Sequence, residues 1–510
     1  MSPYESRIPA DAVEGKRPFR LKLDDQRELV LVRSGELVIA LQGQCPHAGA
    51  KLADGAICGQ RLVCPWHKAS FAVGDPARED GALLEPPAVS GLVRYPVRRE
   101  GDTLVIGHEA LAPAGRPPEV LREPDSGPPG CGAQPVLAVI GTGAAGAAAV
   151  ACLRESGFAG RVLLIGDETP YDRTSLSKFG LSGQMPPEQV PPLLEPAFYE
   201  EHRIERVAGR VELLDVAERR LRLAGGDTLA YDQALLCPGG APVRPALPGV
   251  ELAGVLTLRN LDDQRAILAA SQDGGTVVIV GGSFIGLEAA SALRERDVKV
   301  SVVMRQPVPL RRQVGEAAGR ALRTLHEQAG VRFHAGALAA IEGGDRVRAV
   351  RLDSGERIET GLVLLATGVR PATGFVRGLA LAADGAVEVD RAMRAAPGLY
   401  AAGDVAAFPA GDGRVRIEHW RVAQQQARIA ARNMAGLASV WEATPYFWTY
   451  HYGKRFEVLG HPAAWDAAEL DGDPERGDFI ARLSRAGQLV GVVACGRERD
   501  TAALEPLLRI

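Results

Sequence analysis

"VLAVIGTGAAGAAAVACL", residues 136–153, is the stretch whose reading decides the architecture. It holds no charge, and its length just reaches the lower limit for a membrane span. Its internal order argues otherwise. Five apolar, β-type residues lead into Gly141, Gly143 and Gly146, and a run of small helix formers follows. In G-x-G-x-x-G the first glycine makes a tight turn, the second lets a pyrophosphate approach the backbone, and the third lets helix pack on strand. The phosphate charge then rests on the helix N-terminus. Alone the pattern is weak. Here a second apolar run, "RVLLIGDE", ends near Asp167, at the distance beyond Gly146 where an acid can hold a ribose hydroxyl. An ordinary solvated loop acid is the alternative for Asp167.

The unit recurs. "TVVIVGGSFIG", residues 276–286, answers 136–146 with G-x-S-x-x-G: Gly281, Ser283 and Gly286, with Ile285 inside the turn as a further candidate contact. Each copy later yields another apolar strand that ends in a glycine turn, "ALLCPGG" at Gly239 and "LVLLATGVRP" at Gly368. Two nucleotide-binding domains of similar build are the simplest account. In the second copy the strand "VKVSVVM" ends in Met304 and Arg305, where an acid would favour NAD. A missing acid beside an arginine can accommodate a 2′-phosphate, which tilts the reading toward NADPH. Arg305 could equally be a surface charge, so NADH and NADPH both stay open.

Ahead of this repeat stands "CPHAGAKLADGAICGQRLVCPWHKASF", residues 45–71. Cys45 and His47 lie in one Pro-flanked turn, Cys64 and His67 in another. Zinc takes two cysteines and two histidines in a closed tetrahedral site, but zinc fingers pair like with like in each arm. Mixed arms suit a two-iron cluster in which the cysteines hold one iron and the histidines the other. Cys58 fits no ligand position and reads as a small thiol in packing.

Across its 510 residues the chain is 46% hydrophobic and 24% charged, as for ordinary globular protein, and its length predicts three or four domains. A net charge of −4 gives no footprint for nucleic acid or an anionic membrane. Seven scattered cysteines without a C-x-x-C argue against a disulfide framework and fit a reducing compartment. The N-terminus is too charged for a signal peptide, so a cytoplasmic protein is expected. "APAGRPPEVLREPDSGPPGCGAQP" is a Pro/Gly-rich connector of the kind that marks a domain boundary.

The Cys/His stretch closely resembles the Rieske pattern C-P-H-x-G-x…C-P-W-H, with Gly49 and Trp66 also in place. Ala50 and Trp66 stand where some Rieske proteins carry an extra disulfide pair, so the resemblance is to the ferredoxin-type branch. That implies a potential toward the low end of the Rieske range, which begins at about −150 mV. "YAAGDVA", residues 400–406, resembles the signature of two-dinucleotide-domain flavoproteins, whose Asp (here Asp404) binds the ribityl chain of FAD. The nicotinamide domain would then be inserted between two halves of the flavin domain.

Residues 134–510 resemble the FAD-dependent pyridine nucleotide reductases of the ferredoxin-reductase and apoptosis-inducing-factor type. The key stretch is "PYDRTSLSK", residues 170–178. The resemblance implies that Arg173 touches the flavin, that Lys178 sits beside the isoalloxazine ring, and that Glu288 pairs with Lys178. It places Glu418 and Trp420 of "RIEHWRVA" at the nicotinamide amide and flavin, and Trp448 as an aromatic shield; plain core aromatics or a surface acid are the alternatives. His419 reads as a satisfied structural histidine. The family's A-T-G is replaced by "CPGG", where Pro238 removes a donor, and its following arginine by Val243, with Arg244 one step on. Cys237 in that turn reads as packing.

The expected architecture is multidomain α/β plus β. An all-β Rieske module spans 1–112 and a linker 113–133. The FAD domain takes 134–252 and 371–440, the NAD(P)H domain 253–370, and a small α+β domain 441–510. Expected cofactors are FAD, a [2Fe–2S] cluster and NADH or NADPH. The expected activity runs from NAD(P)H through FAD to the cluster and on to an acceptor such as an oxygenase or cytochrome. A slowly turning redox sensor of the apoptosis-inducing-factor type is the alternative. No nucleic acid or membrane is expected, and a homodimer is allowed. A disulfide reductase would need a cysteine pair beside the flavin, and the sequence has none.

Overall fold

A computed structural model describes residues 4–111 and 134–508, apart from 16, 25, 26, 273, 274, 412 and 463. The connector expected at 113–133 therefore lies outside the described residues.

The stretch that opened the sequence reading forms strand Val136–Ile140 and helix Ala144–Glu155, joined by the glycine turn. Its alanines let the helix lie close to the sheet on one side and to helix Trp420–Met434 on the other, inside one apolar core. Strand Val136–Ile140 pairs in parallel with Arg161–Gly166 on one side and Gln233–Leu236 on the other. The chain thus reverses direction across the sheet there, which opens a crevice at the strand's C-terminal end. Leu399–Ala401 joins the same sheet in parallel beside Gln233–Leu236, although the two strands are far apart in sequence.

The residues between build a second parallel sheet. Thr276–Val280 lies between Lys299–Met304 and Leu362–Leu365, so its glycine turn also sits at a switch point. The connections between the two sheets run through an antiparallel pair, Gly240–Pro242 with Val369–Pro371. Tyr446–Cys495 folds into five antiparallel strands, followed by helix Glu498–Leu504.

The described residues from Tyr4 to Leu111 contribute only strands and short 3-10 turns, in one three-stranded and two four-stranded antiparallel sheets. One four-stranded sheet holds Ala56–Cys58, Arg61–Val63, Ser70–Ala72 and Leu83–Glu85 and carries both Cys/His loops. No helix among the described residues is long and apolar enough to cross a membrane.

Candidate functional site

The first switch point opens into a cavity of about 540 Å³. Gly141, at φ +121°, forms its floor; a Cβ there would lie 2.1 Å from the Cys237 carbonyl oxygen. A Cβ on Gly146 would sit 1.9 Å from the Gly141 oxygen, which is why helix and strand can meet only through glycine. Above Gly143 there is no atom within 4 Å. That open backbone at a helix N-terminus is the cradle a pyrophosphate requires.

Around the cavity stand Asp167, Arg173, Lys178, Gly239, Ile285, Glu288, Asp404, Glu418, Trp420 and Trp448. Lys178 is held by its ion pair with Glu288 (3.0 Å) and donates to the Thr174 carbonyl (3.0 Å). Its Nζ lies 4.3 Å from the centre of the Trp448 ring. Glu288 also accepts from the Ser177 and Thr449 hydroxyls at 2.5 and 2.6 Å. Arg173 pairs with Glu168 (3.1 Å) and donates to the Arg259 carbonyl. Asp404 accepts from the Gly240 N–H at 3.1 Å, just beyond the altered "CPGG" turn. Burial raises the Glu418 carboxyl above its ordinary range, against the pull of its ion pair with Arg416.

Where the family arginine is missing, two nearby arginines take different courses. Arg244 turns away to the Val250 and Val255 carbonyls, while Arg259 lines the cavity and pairs with Asp404 at 3.4 Å. Arg259 belongs to "TLRNLDD", a separate segment beyond Arg244, and carried no motif to single it out. His419 departs from its structural reading. Its ring lines the cavity against Phe447, and its buried Nδ1 has no hydrogen-bond partner among the described residues. Burial pushes Cys237 up to about 12, in keeping with packing rather than redox chemistry.

Gly281, Ser283, Gly286, Arg305 and Gly368 are absent from this cavity's walls and gather instead at the second switch point. Ser283 caps the helix Phe284–Arg294: its hydroxyl accepts from the Gly286 N–H and donates to the Ala366 carbonyl. Arg305 is exposed directly after the strand Lys299–Met304.

The two Cys/His loops are twins. In each, the cysteine N–H donates to a carbonyl on the far side of the loop, Cys45 to Ala50 and Cys64 to Ala69, both at 2.8 Å. Each turns through a positive φ just before that carbonyl, Gly49 at +75° and Lys68 at +61°. The His47 and His67 Nδ1 atoms converge to 3.0 Å. The paired thiols shift in opposite directions: a hydrogen bond from Cys45 holds Cys64 down to about 7, which favours the thiolate there, and the same bond pushes Cys45 up. Burial favours neutral imidazole in both histidines. Among the described residues no three His, Cys, Asp or Glu side chains are placed to share one ion. Two sulfurs in one pair and two nitrogens in another fit a cluster whose irons are ligated by Cys₂ and His₂.

These loops do not stand free. His47 and His67 line the same cavity as Lys178 and Glu288. The His67 and Trp448 rings are 4.9 Å apart, centre to centre. Lys68, fully buried, pairs with Glu457 at 2.7 Å. The Tyr446 hydroxyl donates to the Trp66 carbonyl at 2.6 Å. Arg421, paired with Glu505 at 2.7 Å, donates to the Lys68 and Pro86 carbonyls. Sequence reading missed every one of these contacts, because the partners come from opposite ends of the chain.

Residues 135–427 match the family described as pyridine nucleotide-disulphide oxidoreductase, residues 6–96 the Rieske [2Fe-2S] domain, and residues 446–509 the reductase C-terminal domain. Apoptosis-inducing factor 3 of Mus musculus is 32% identical over 92% of this chain and 78% of its own length. The biphenyl dioxygenase system ferredoxin–NAD(+) reductase component of Paraburkholderia xenovorans is 37% identical over 68% of this chain and 86% of its own. The ferredoxin reductase for the CYP199A2 system from Rhodopseudomonas palustris superposes with a TM-score of 0.68 at 30% identity, over 72% of this chain and 92% of that one. The chain belongs to the pyridine nucleotide-disulphide oxidoreductase family, as a ferredoxin-reductase-type NAD(P)H flavoprotein oxidoreductase that carries a Rieske [2Fe–2S] domain.

Proposed function

We propose that the chain takes a hydride from NAD(P)H at its FAD and passes the electrons singly, through its own Rieske cluster, to a protein acceptor such as an oxygenase component or a cytochrome. FAD supplies the passage from two-electron to one-electron chemistry; the protein supplies position and charge. We assign 134–252 and 371–440 to the flavin, 253–370 to the nucleotide, and the reducing cytoplasm as the compartment.

The observation that carries this reading is the Trp448 indole, which lies against both His67 and Lys178. One side chain thus separates a candidate cluster ligand from the cation assigned to the flavin ring. Lys178 and Glu288 would hold charge beside the flavin, Asp404 the ribityl chain, and Cys45, His47, Cys64 and His67 the cluster.

Anaerobic stopped-flow mixing with NADH, and separately NADPH, tests it. The flavin band should bleach first, and the Rieske absorbance should follow at a rate independent of protein concentration. Bleached flavin beside a cluster that stays oxidised would overturn the internal route.

A further inference from the structure

Oxidising NAD(P)H by one-electron carriers leaves a proton behind. The balance is NAD(P)H → NAD(P)⁺ + H⁺ + 2e⁻, and under the proposed function that proton is left in the Lys178–Glu288 pocket. Both side chains are 7% exposed or less, on the wall of the cavity that the flavin would fill.

Behind Glu288 runs an unbroken file of hydrogen-bonding side chains. The Thr449 hydroxyl donates to Glu288 Oε1 at 2.6 Å and stands 2.9 Å from His451 Nε2. His451 Nδ1 is 3.3 Å from His326 Nε2, and His326 Nδ1 is 3.1 Å from the Tyr452 hydroxyl. Thr449, His451 and His326 are fully buried, whereas Tyr452 is only partly so. We propose that Thr449, His451, His326 and Tyr452 are a proton relay between the Glu288 carboxylate and solvent.

One arrangement uses every atom once. Tyr452 donates to His326, His326 to His451, His451 to Thr449, and Thr449 to Glu288. Each group gives one proton and accepts one. That is the file as a departing proton leaves it. Release starts from its reverse, in which protonated Glu288 donates to Thr449, Thr449 to His451 Nε2, His451 Nδ1 to His326 Nε2, His326 Nδ1 to the Tyr452 oxygen and Tyr452 to solvent. Each hydrogen moves outward to the next acceptor, and reorientation of the file before the next turnover resets it. No net charge need settle on the imidazoles, which suits their surroundings. Burial, with Lys178 nearby, keeps His451 neutral, and burial beside His451 does the same for His326. The other groups facing the file are the Leu287 carbonyl at His451, and Arg294, Glu295 and Ser291 at Tyr452.

The relay rests on the hydride reading above, so its test reads both. The holoprotein is mixed with NADH, or with NADPH if that reduces faster, and with ferricyanide. One nucleotide then reduces two ferricyanides and releases one proton, followed with a pH-indicator dye; flavin bleaching is followed in a parallel mixture without ferricyanide, which would reoxidise the flavin. In Tyr452→Phe and His451→Gln, each checked for unchanged FAD content, the ratio of proton-release rate to bleaching rate should fall about tenfold or more. An unchanged ratio in Tyr452→Phe, which alters packing least, overturns the relay and leaves the function intact. Absence of bleaching in the unsubstituted protein overturns both.

A second readout needs no turnover. Nitrogen-15 shifts of labelled histidine in the resting protein should place the proton on like nitrogens of His326 and His451, Nε2 of both in the first file or Nδ1 of both in its reverse. Protons on unlike nitrogens break the file and overturn the proposal.

Discussion

Lys178 is surrounded by what a fixed cation needs: a carboxylate, a backbone carbonyl and the face of an indole. An ammonium held beside a bound cofactor that excludes water is worth far more than one in water. Lys178→Met should therefore slow flavin bleaching by NAD(P)H about 10²-fold, equivalent to about 2.7 kcal/mol, while FAD stays bound. Bleaching at the unsubstituted rate would remove the lysine from the reaction. Glu288 is left without its cation in this variant but keeps the Ser177 and Thr449 hydroxyls, so the fold is expected to hold. This pair was readable in advance because "PYDRTSLSK" and the second glycine turn each carry a local pattern. Arg259 was not, since nothing local distinguishes it from a surface arginine.

At the scale of elements, both glycine turns and both Cys/His loops follow from sequence because each is closed by its own backbone. The tertiary partners of those loops do not. Lys68 occupies a left-handed position that its twin gives to glycine, and its reach to Glu457 accounts for the residue type. The hairpin from Tyr446 to Leu459 hides a further dependence. Its His451, fully buried, has its pKa pushed down from the ordinary 6.5 to about 3. The unfolded chain binds that proton more readily than the folded one. Stability from this group is therefore complete above pH 6.5 and is lost as pH falls toward 3. At pH 5 the loss is about 2 kcal/mol. The thermal midpoint should drop between pH 7 and 5, and His451→Gln should flatten that drop. An equal slope in both proteins would show that other groups set the acid limit.

On the scale of the whole molecule, the Pro/Gly-rich connector suggests a tethered module, whose gain is effective concentration alone. The contacts across the two parts say more than that. Two ion pairs, Lys68–Glu457 and Arg421–Glu505, are almost wholly buried where the Cys/His loops meet the reductase. Arg421 alone bonds the Lys68, Pro86 and Thr444 carbonyls as well as Glu505. Burying such charges is costly unless every partner is in place, so the arrangement selects one docked position in which His67 meets Trp448. The connector between the parts should then be dispensable for holding them together. A protease site placed within 113–133 allows the connector to be cut in the folded holoprotein. The two pieces should still elute as one species, and the cluster should still be reduced at a rate independent of concentration. In Arg421→Met the stranded Glu505 carboxylate should cost about 3–5 kcal/mol, and the cut pieces should separate. Separation of the cut, unsubstituted chain would mean that the tether, and not the buried charges, brings cluster and flavin together.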